Sequence, residues 1–251
     1  MGKAAADEFG GLVSRQQLRR FWIGLWAGNA FFLLTNLLLA AGWQPPLNTI
    51  ARQLNLDTPA SLGKWWLSAQ LLLLSVVALY LYAAGQARTT GRLHRYGWPL
   101  FVALTSLMSA DTVARMRQDV EGAFREALRS GQVAGVQVNW TYLFSPFILA
   151  AAVFLVRFAH RALGETPGAR SLALAGIAAW AASIVLEVIE CSLLFGKSVG
   201  LAVRAYEPTV EQMLEVGGTT LLLMAFVELG FRRPAGDLAP DASAAGDQSP
   251  A

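Results

Sequence analysis

Six long apolar runs are the feature of this sequence that most limits how the chain can fold. They approach or reach the length of about 20 residues that a helix needs to cross a hydrocarbon layer of roughly 30 Å, and charged, proline or aromatic residues bound them. The runs are approximately Phe21–Trp43, Trp65–Ala84, Gly97–Ala110, Tyr142–Phe158, Leu172–Phe195 and Met213–Phe231. Backbone polar groups inside a bilayer have no water to bond to, so such runs fold as helices. The sequence therefore predicts an all-α, polytopic transmembrane helical bundle with six spans.

Composition and charge exclude several other classes of protein. Hydrophobic residues make up 55% of the 251 residues and charged residues only 15%, whereas soluble domains carry about 25% charged residues. This composition therefore disfavours both a soluble enzyme domain and a disordered chain. The net charge of +3, from 20 basic and 17 acidic residues, is too balanced for nucleic acid to be a partner. The single cysteine, Cys191, excludes an intramolecular disulfide and a multi-cysteine metal site.

The distribution of basic residues predicts the orientation of the spans. Most Lys and Arg residues near span ends fall on the side that holds both termini, so we expect both termini in the cytoplasm. The domain organisation is then a cytoplasmic leader (1–20), a six-helix transmembrane domain (21–233) and a disordered cytoplasmic tail (234–251) that has little to bury. A cleaved signal peptide is the alternative for the first run, which is longer than the usual apolar core of about 7–15 residues.

An amphipathic helix is expected to continue the third span outward. From Asp111 to Ser130, apolar residues recur at steps of three and four, with charged residues between them. The apolar positions are Val113, Met116, Val120, Phe124 and Leu128. This outer helix either packs over the bundle or offers a surface to a partner. The segment Gln44–Lys64 is expected to cap the bundle in the same region.

Carboxylates inside the predicted spans mark the candidate site, because an ionisable residue at that depth is costly. Five carboxylates on three helices, inside the runs or directly at their outer ends, reach a similar depth in the outer half of the bundle: Asp111, Glu187, Glu190, Glu211 and Glu215. Glu187 and Glu190 are three residues apart, and Glu211 and Glu215 are four residues apart. The two members of each pair therefore share a helix face, where like charges destabilise the helix. A positive charge, or a bound proton, must therefore compensate for the negative charges of these carboxylates.

Three explanations of this cluster are open. The first is a network with Arg115, Arg117 and Arg204 as ion-pair partners, which fixes the packing of the helices. The second is a divalent metal ion, because carboxylates suit hard cations, although His94 and His160 both fall in predicted cytoplasmic linkers. The third is a proton or substrate pathway. No Ser–His–Asp set, phosphate loop or nucleotide motif is present, which makes an enzyme the less favoured class.

Small residues predict where two of the helices approach closely. The fifth run carries a small-residue face that includes Gly176 and Ala179, and the sixth run carries Gly217 and Gly218. Small residues let transmembrane helices pack with their backbones near each other.

The charged residues resemble those of a family of uncharacterised bacterial multispanning membrane proteins. Those proteins carry a D-E-x-x-x-x-H-E pattern at the end of one helix and E-E-x-x-E-x-x-G at the start of the last. Here the corresponding segments are Asp111–Gln118 and Glu211–Gly218, and Trp140–Pro146 and the span with Glu187 are similar in order and spacing. The resemblance covers roughly Gly97–Phe231 and implies the inner (cytoplasmic) membrane of a bacterium.

The family pattern implies a site for one or two metal ions, by analogy with carboxylate–histidine sites in helical bundles. This chain keeps Asp111, Glu211 and Glu215 but has Arg117 where the family has histidine. It also has Thr112, Gln118 and Gln212 in place of acids. An arginine cannot ligate a metal ion, so the departures favour an arginine–carboxylate network in a degenerate relative.

The sequence thus predicts an inner-membrane module that is structural or binds a cation or proton at its carboxylate cluster. The alternatives are a membrane-embedded metalloenzyme acting on a lipid or quinone, and a cation- or proton-coupled transporter. The expected partner is the lipid bilayer, with another membrane protein or a second copy of the chain as further alternatives.

Overall fold

The structure is a computed structural model that describes residues 14–56, 58–84, 93–127, 132–133, 136–137, 140–189 and 201–231. Its elements in chain order are α1 (Arg15–Ala40), α2 (Asn48–Leu54), α3 (Leu62–Ala83), a π-helical turn (Leu93–Gly97), α4 (Trp98–Ala114), α5 (Met116–Ala127), β1 (Gln132–Val133), β2 (Val136–Gln137), α6 (Trp140–Leu143), α7 (Ser145–Ala162), α8 (Pro167–Ile189) and α9 (Leu201–Phe231). The two short strands pair antiparallel. The predicted helical fold class is confirmed. The predicted tail and most of the predicted leader lie outside the described residues.

Five of the described helices are long and apolar enough to cross a membrane. They are α1, α3, α7, α8 and the part of α9 from Tyr206 to Phe231. The remaining predicted span corresponds to α4, which has 17 residues. The chain is therefore a multi-pass membrane protein by the length and composition of its helices.

Local sequence signals explain where several helices begin. The Ser14 hydroxyl accepts a hydrogen bond from the Gln17 amide, and the Gln17 side chain accepts one from the Ser14 amide, which forms a capping box before α1. Ser61 caps α3 in the same way by accepting from the Lys64 amide at 3.3 Å. Pro99 and Pro146 stand in the first turns of α4 and α7, where a missing amide hydrogen costs nothing.

Hydroxyl pairs fix the register between α3 and α4. The Ser68 and Ser109 hydroxyls lie 2.9 Å apart, and the Ser75 and Thr105 hydroxyls lie 2.7 Å apart. The residue numbers fall along one helix as they rise along the other, so α4 runs antiparallel to α3 for most of its length. One face of α4 is buried, through Phe101, Thr105 and Ser109, whereas Leu100 and Leu107 on its other side are more than half exposed.

The bundle has two chemically different ends. We call the end where α4 and α8 finish the carboxylate end, because it holds Asp111 and Glu187. At the opposite end, here called the aromatic end, lie four rings from α4, α7 and α9: Trp98, Phe101, Phe158 and Phe226. The ring centroids of Phe101 and Phe226 are 4.7 Å apart, and none of the four side chains is more than 1% exposed. Aromatic packing therefore closes this end.

Two glycines bring α8 and α9 together. A β-carbon added to Gly176 would lie 2.6 Å from the carbonyl oxygen of Gly218, and one added to Gly218 would lie 2.8 Å from that of Gly176. Real β-carbons do not approach that closely, so both positions need glycine. The predicted close contact is confirmed for these two residues, whereas a β-carbon on Gly217 would meet nothing within 4 Å.

The predicted continuation of the third span as one helix is wrong at Arg115. This residue has φ 58°, in the left-handed region, and ends α4 by donating its amide hydrogen to the Asp111 carbonyl at 2.8 Å. The next helix, α5, starts at Met116. Its apolar residues are not covered, because Met116, Val120 and Phe124 are each at least 40% exposed. The helix therefore does not pack its apolar face over the described part of the bundle.

The connection between α1 and α3 does cover the bundle, as predicted. The Asn36 side-chain amide donates to the Leu54 carbonyl at 3.0 Å, and its oxygen accepts from the Leu56 amide at 3.0 Å. Leu56 is only 1% exposed. The short helix α2 is thus tied to the end of α1.

Candidate functional site

The helix break at Arg115 creates a binding arrangement around Asp111. The left-handed turn brings the next residues back toward the end of α4, so that the Arg117 amide donates to Asp111 Oδ1 at 2.8 Å. The Arg117 guanidinium also forms an ion pair with Asp111 Oδ2. Asp111 is only 9% exposed, so its charge depends on these contacts rather than on water.

Trp140 extends this pair to a second carboxylate. The Arg117 guanidinium carbon lies 4.2 Å from the centre of the Trp140 ring, which is a cation–π contact. The indole N–H of Trp140 donates to Glu187, and Thr141 forms a further side-chain hydrogen bond with the same carboxylate. Asp111, Arg117, Trp140 and Glu187 thus form a chain of contacts that joins α4, α5, α6 and α8.

Glutamates of α9 lie next to this chain. Glu187 interacts electrostatically with Glu215 as a like charge and with Arg117 as an opposite charge. Glu211 interacts in turn with Glu215, Glu187 and Glu207 as like charges, and with Lys64 as an opposite charge. The carboxylate end therefore concentrates negative charge from α4, α8 and α9 in one region.

Lys64 is a functional candidate that the sequence did not single out. Its ammonium group donates to the Gln212 side chain, so the first turn of α3 contacts α9 beside Glu211. The two residues are 148 positions apart. In the sequence Lys64 counts only as one of several basic residues near a span end, and no spacing rule connects it to α9.

The structure brings some of the predicted site residues together and not others. Asp111, Glu187, Glu211 and Glu215 are brought to one end of the bundle, and Arg117 takes the role of ion-pair partner there. The Arg115 guanidinium instead donates to Gln118. Glu190 and the side chain of Arg204 lie outside the described part of the chain.

The carboxylates do not form a ligand cage. Among the residues that the structure describes, no group of three or more His, Cys, Asp or Glu side chains is arranged to hold a metal ion. The chemical capacity of this end is therefore that of a concentration of negative charge, where carboxylates repel one another and attract positive charge.

A polar ring lies deeper in the bundle, between α1, α3 and α9. The Asn29 amide donates to the Thr220 hydroxyl at 2.8 Å, that hydroxyl donates to the Gln70 oxygen at 2.7 Å, and the Gln70 amide donates back to the Asn29 oxygen at 3.0 Å. The Trp66 indole N–H also donates to Asn29. All three ring members are at most 2% exposed, so the ring satisfies polar groups that have no access to water.

Toward the aromatic end, aromatic packing takes the place of the hydrogen-bonded hydroxyl pairs among the residues that the structure describes. Beyond Ser75 and Thr105, the interior contacts between α4, α7 and α9 are made by the four aromatic rings.

Comparison with known proteins yields no relative for this chain, since no family model, curated protein or solved structure matches it.

Proposed function

We propose that this chain is a binding module of the membrane rather than an enzyme, and that its carboxylate end takes up positive charge from solution. The charge is either a proton or a small inorganic cation. The observation that carries the proposal is an imbalance: four carboxylates, Asp111, Glu187, Glu211 and Glu215, meet only two described cationic partners, Arg117 and Lys64. Unbalanced like charges at a membrane helix end raise the free energy of the folded protein, and a bound cation relieves this.

The geometry favours Glu211 and Glu215 as the groups that receive the cation. Arg117 is already engaged by Asp111 and stacked on Trp140, and Glu187 is held by two hydrogen bonds. Glu211 has three carboxylates near it, and the ammonium group that offsets them also donates to Gln212. Repulsion is therefore least compensated on α9.

The test compares the thermal unfolding midpoint (Tm) of the detergent-purified wild type with that of Glu211→Gln. When protons and small cations are scarce, the variant should be more stable, because it removes one repelling charge. A difference of about 1 kcal/mol corresponds to about 2–4 °C in Tm for a chain of this size. As the cation is supplied the wild type should gain stability and the gap should close, because binding stabilises the folded state by mass action.

Two series of Tm measurements distinguish the binding of a proton from the binding of an inorganic cation. One lowers the pH at constant salt, and the other replaces choline chloride by sodium or magnesium chloride at constant ionic strength and pH. Glu126→Gln is the matched control, because Glu126 is an exposed carboxylate of α5. A gap between wild type and Glu211→Gln that is the same under all conditions would show that the carboxylates are purely structural.

We also propose that the bundle has six spans, with α4 as the third, both termini in the cytoplasm of a bacterium, and α5 on the outer side. At a rise of about 1.5 Å per residue, 17 residues extend about 26 Å, close to the roughly 30 Å of a bilayer core. The antiparallel hydroxyl pairs with α3 support this assignment.

The resemblance to uncharacterised bacterial multispanning proteins is retained as a proposal of distant kinship. In support, the two segments that carry the pattern, Asp111–Gln118 and Glu211–Gly218, both lie at the carboxylate end. The metalloenzyme and the transporter remain alternatives.

A further inference from the structure

We propose that α7 binds one anionic phospholipid in the leaflet at the aromatic end of the bundle. An acyl chain would lie along an apolar groove on α7, and the headgroup phosphate would contact Arg157 and Arg161. This inference is independent of the cation proposal, because the groove and the carboxylates lie on different helices and the arginines are at the opposite end.

The groove is open and apolar, with a volume of about 620 Å³. This is within the range of about 300–1,000 Å³ that ligand pockets occupy. The described residues that line it belong to α7, and its apolar wall is formed by Pro146, Leu149, Ala150, Val153 and Phe154. Their steps of three and four residues place them on one face of the helix.

The last turns of α7 add positive charge to the same face. Arg157 and Arg161 both line the groove, are four residues apart, and are exposed. No acidic residue is among the described residues that line the groove. Arginine side chains bind phosphate oxygens through two parallel hydrogen bonds, so two of them on one face select an anionic headgroup.

The dimensions fit one lipid chain. From Pro146 to Arg157 the helix rises about 16 Å at 1.5 Å per residue, which is close to half of a bilayer core of roughly 30 Å. An acyl chain whose phosphate lies at the arginines can therefore follow the apolar wall over a length equal to the depth of one leaflet.

The packing of α7 supports a bound lipid rather than another helix of this bundle. It is the least buried of the five candidate spans. Phe158 packs into the aromatic cluster and is 1% exposed, whereas Phe147 and Leu149 are 72% and 67% exposed. The helix is thus fixed at the arginine end and leaves the rest of its face open to lipid.

The first experiment titrates the detergent-purified protein with phosphatidylglycerol or with phosphatidylcholine of identical acyl chains and measures Tm. Wild type should bind phosphatidylglycerol more tightly. In the double variant Arg157→Gln and Arg161→Gln, the apparent affinity for phosphatidylglycerol should fall about fivefold for each arginine, and so about 25-fold in all. The matched control is Arg19→Gln with Arg20→Gln, which removes two exposed arginines of α1 at the same end.

A second pair of variants tests the acyl chain. Ala150→Trp fills the groove and leaves both arginines in place, and it should abolish the preference for phosphatidylglycerol. Val156→Trp adds the same bulk at an exposed position that does not line the groove and should leave the preference unchanged. Glycerol 3-phosphate, which offers phosphate without a chain, should not raise Tm.

Two outcomes would overturn the proposal. One is a wild type that responds equally to the two lipids. The other is an equal loss of phosphatidylglycerol affinity in the two double arginine variants, which would indicate general attraction to an anionic surface.

Discussion

Arg117 makes three chemically different contacts, one through its backbone amide and two through its side chain. Its amide and guanidinium both bind Asp111, and the flat face of the guanidinium stacks on Trp140. Lysine is a compact point charge and cannot do both, because it has neither the fork of donors nor the planar surface. The ion pair is half exposed on the arginine side, with 41% of that side chain accessible, which limits its energetic value.

We therefore expect Arg117→Lys and Arg117→Gln to be graded in effect. Arg117→Gln should lower the free energy of unfolding by about 1–2 kcal/mol, because Asp111 loses its charged partner and Trp140 loses its cation. Arg117→Lys should fall between this variant and the wild type. The measurement is equilibrium unfolding by sodium dodecyl sulfate in mixed micelles. Arg52→Gln, an exposed arginine of α2, is the control and should change stability by less than about 0.5 kcal/mol. Equal stability of all variants would mean that the pair contributes nothing.

Some residues of the site could be predicted from the sequence and others could not. Asp111, Glu187, Glu211 and Glu215 stand out because a carboxylate within an apolar run, or directly at its end, is costly in a membrane. Lys64 and Trp140 do not stand out, because both are typical of span ends. Their roles depend on how the helices rotate about their axes, and hydrophobic periodicity does not specify which neighbour a helix face will meet.

At the scale of the elements, the break between α4 and α5 is where sequence patterning and structure diverge. No glycine or proline marks it, and the apolar steps of three and four run through it. The break accompanies a contact between residues six positions apart, because Arg117 can reach Asp111 only if the chain turns back after Arg115. That contact outweighs the cost of a left-handed backbone at a residue with a side chain, about 1–2 kcal/mol.

A helix break at Arg115 and a continuous helix predict opposite effects of Arg115→Gly on the free energy of unfolding. Arg115→Gly should keep or raise the free energy of unfolding, by up to about 1 kcal/mol, because glycine adopts a positive φ without strain. In a continuous helix, the same change would cost about 1 kcal/mol. Arg115→Val should be destabilising, because a β-branched residue is disfavoured at positive φ. Unfolding in mixed micelles decides the sign, and a destabilised Arg115→Gly variant would contradict the break.

The contact between α8 and α9 gives a second prediction at this scale, with a control one residue away from a contact position. Gly176→Ala should lower the free energy of unfolding by about 1–3 kcal/mol, because its β-carbon would overlap the Gly218 carbonyl. Gly217→Ala meets nothing and should be neutral or stabilising, because alanine favours helix more than glycine does. If both variants lost stability equally, the close approach of these two helices would be refuted.

At the scale of the whole molecule, the bundle separates two kinds of interior. Charge and hydrogen bonds occupy the carboxylate end and the middle, through Lys64, Glu211 and the ring at Asn29, and aromatic packing closes the other end. The approximate positions of the five helices long enough to cross a membrane followed from the sequence, because apolar run length is set by the bilayer. This division of the interior did not, because it arises from which faces of distant helices meet.

The orientation of α4 decides the side of the membrane on which α5 and all later segments lie, and single-cysteine labelling tests it. In a Cys191→Ser background, cysteines are placed at Thr58, before α3, at Asp119 in α5 and at Glu165, between α7 and α8. With six spans, a membrane-impermeant maleimide should label Thr58→Cys and Asp119→Cys in spheroplasts, and Glu165→Cys only after the membrane is broken. If α4 does not cross, every later span inverts, so Asp119→Cys becomes protected and Glu165→Cys reactive. Thr58→Cys keeps the same behaviour in both cases and reports that the first span is inserted. The exchange of reactivity between the other two sites therefore distinguishes the topologies without reference to stability or activity.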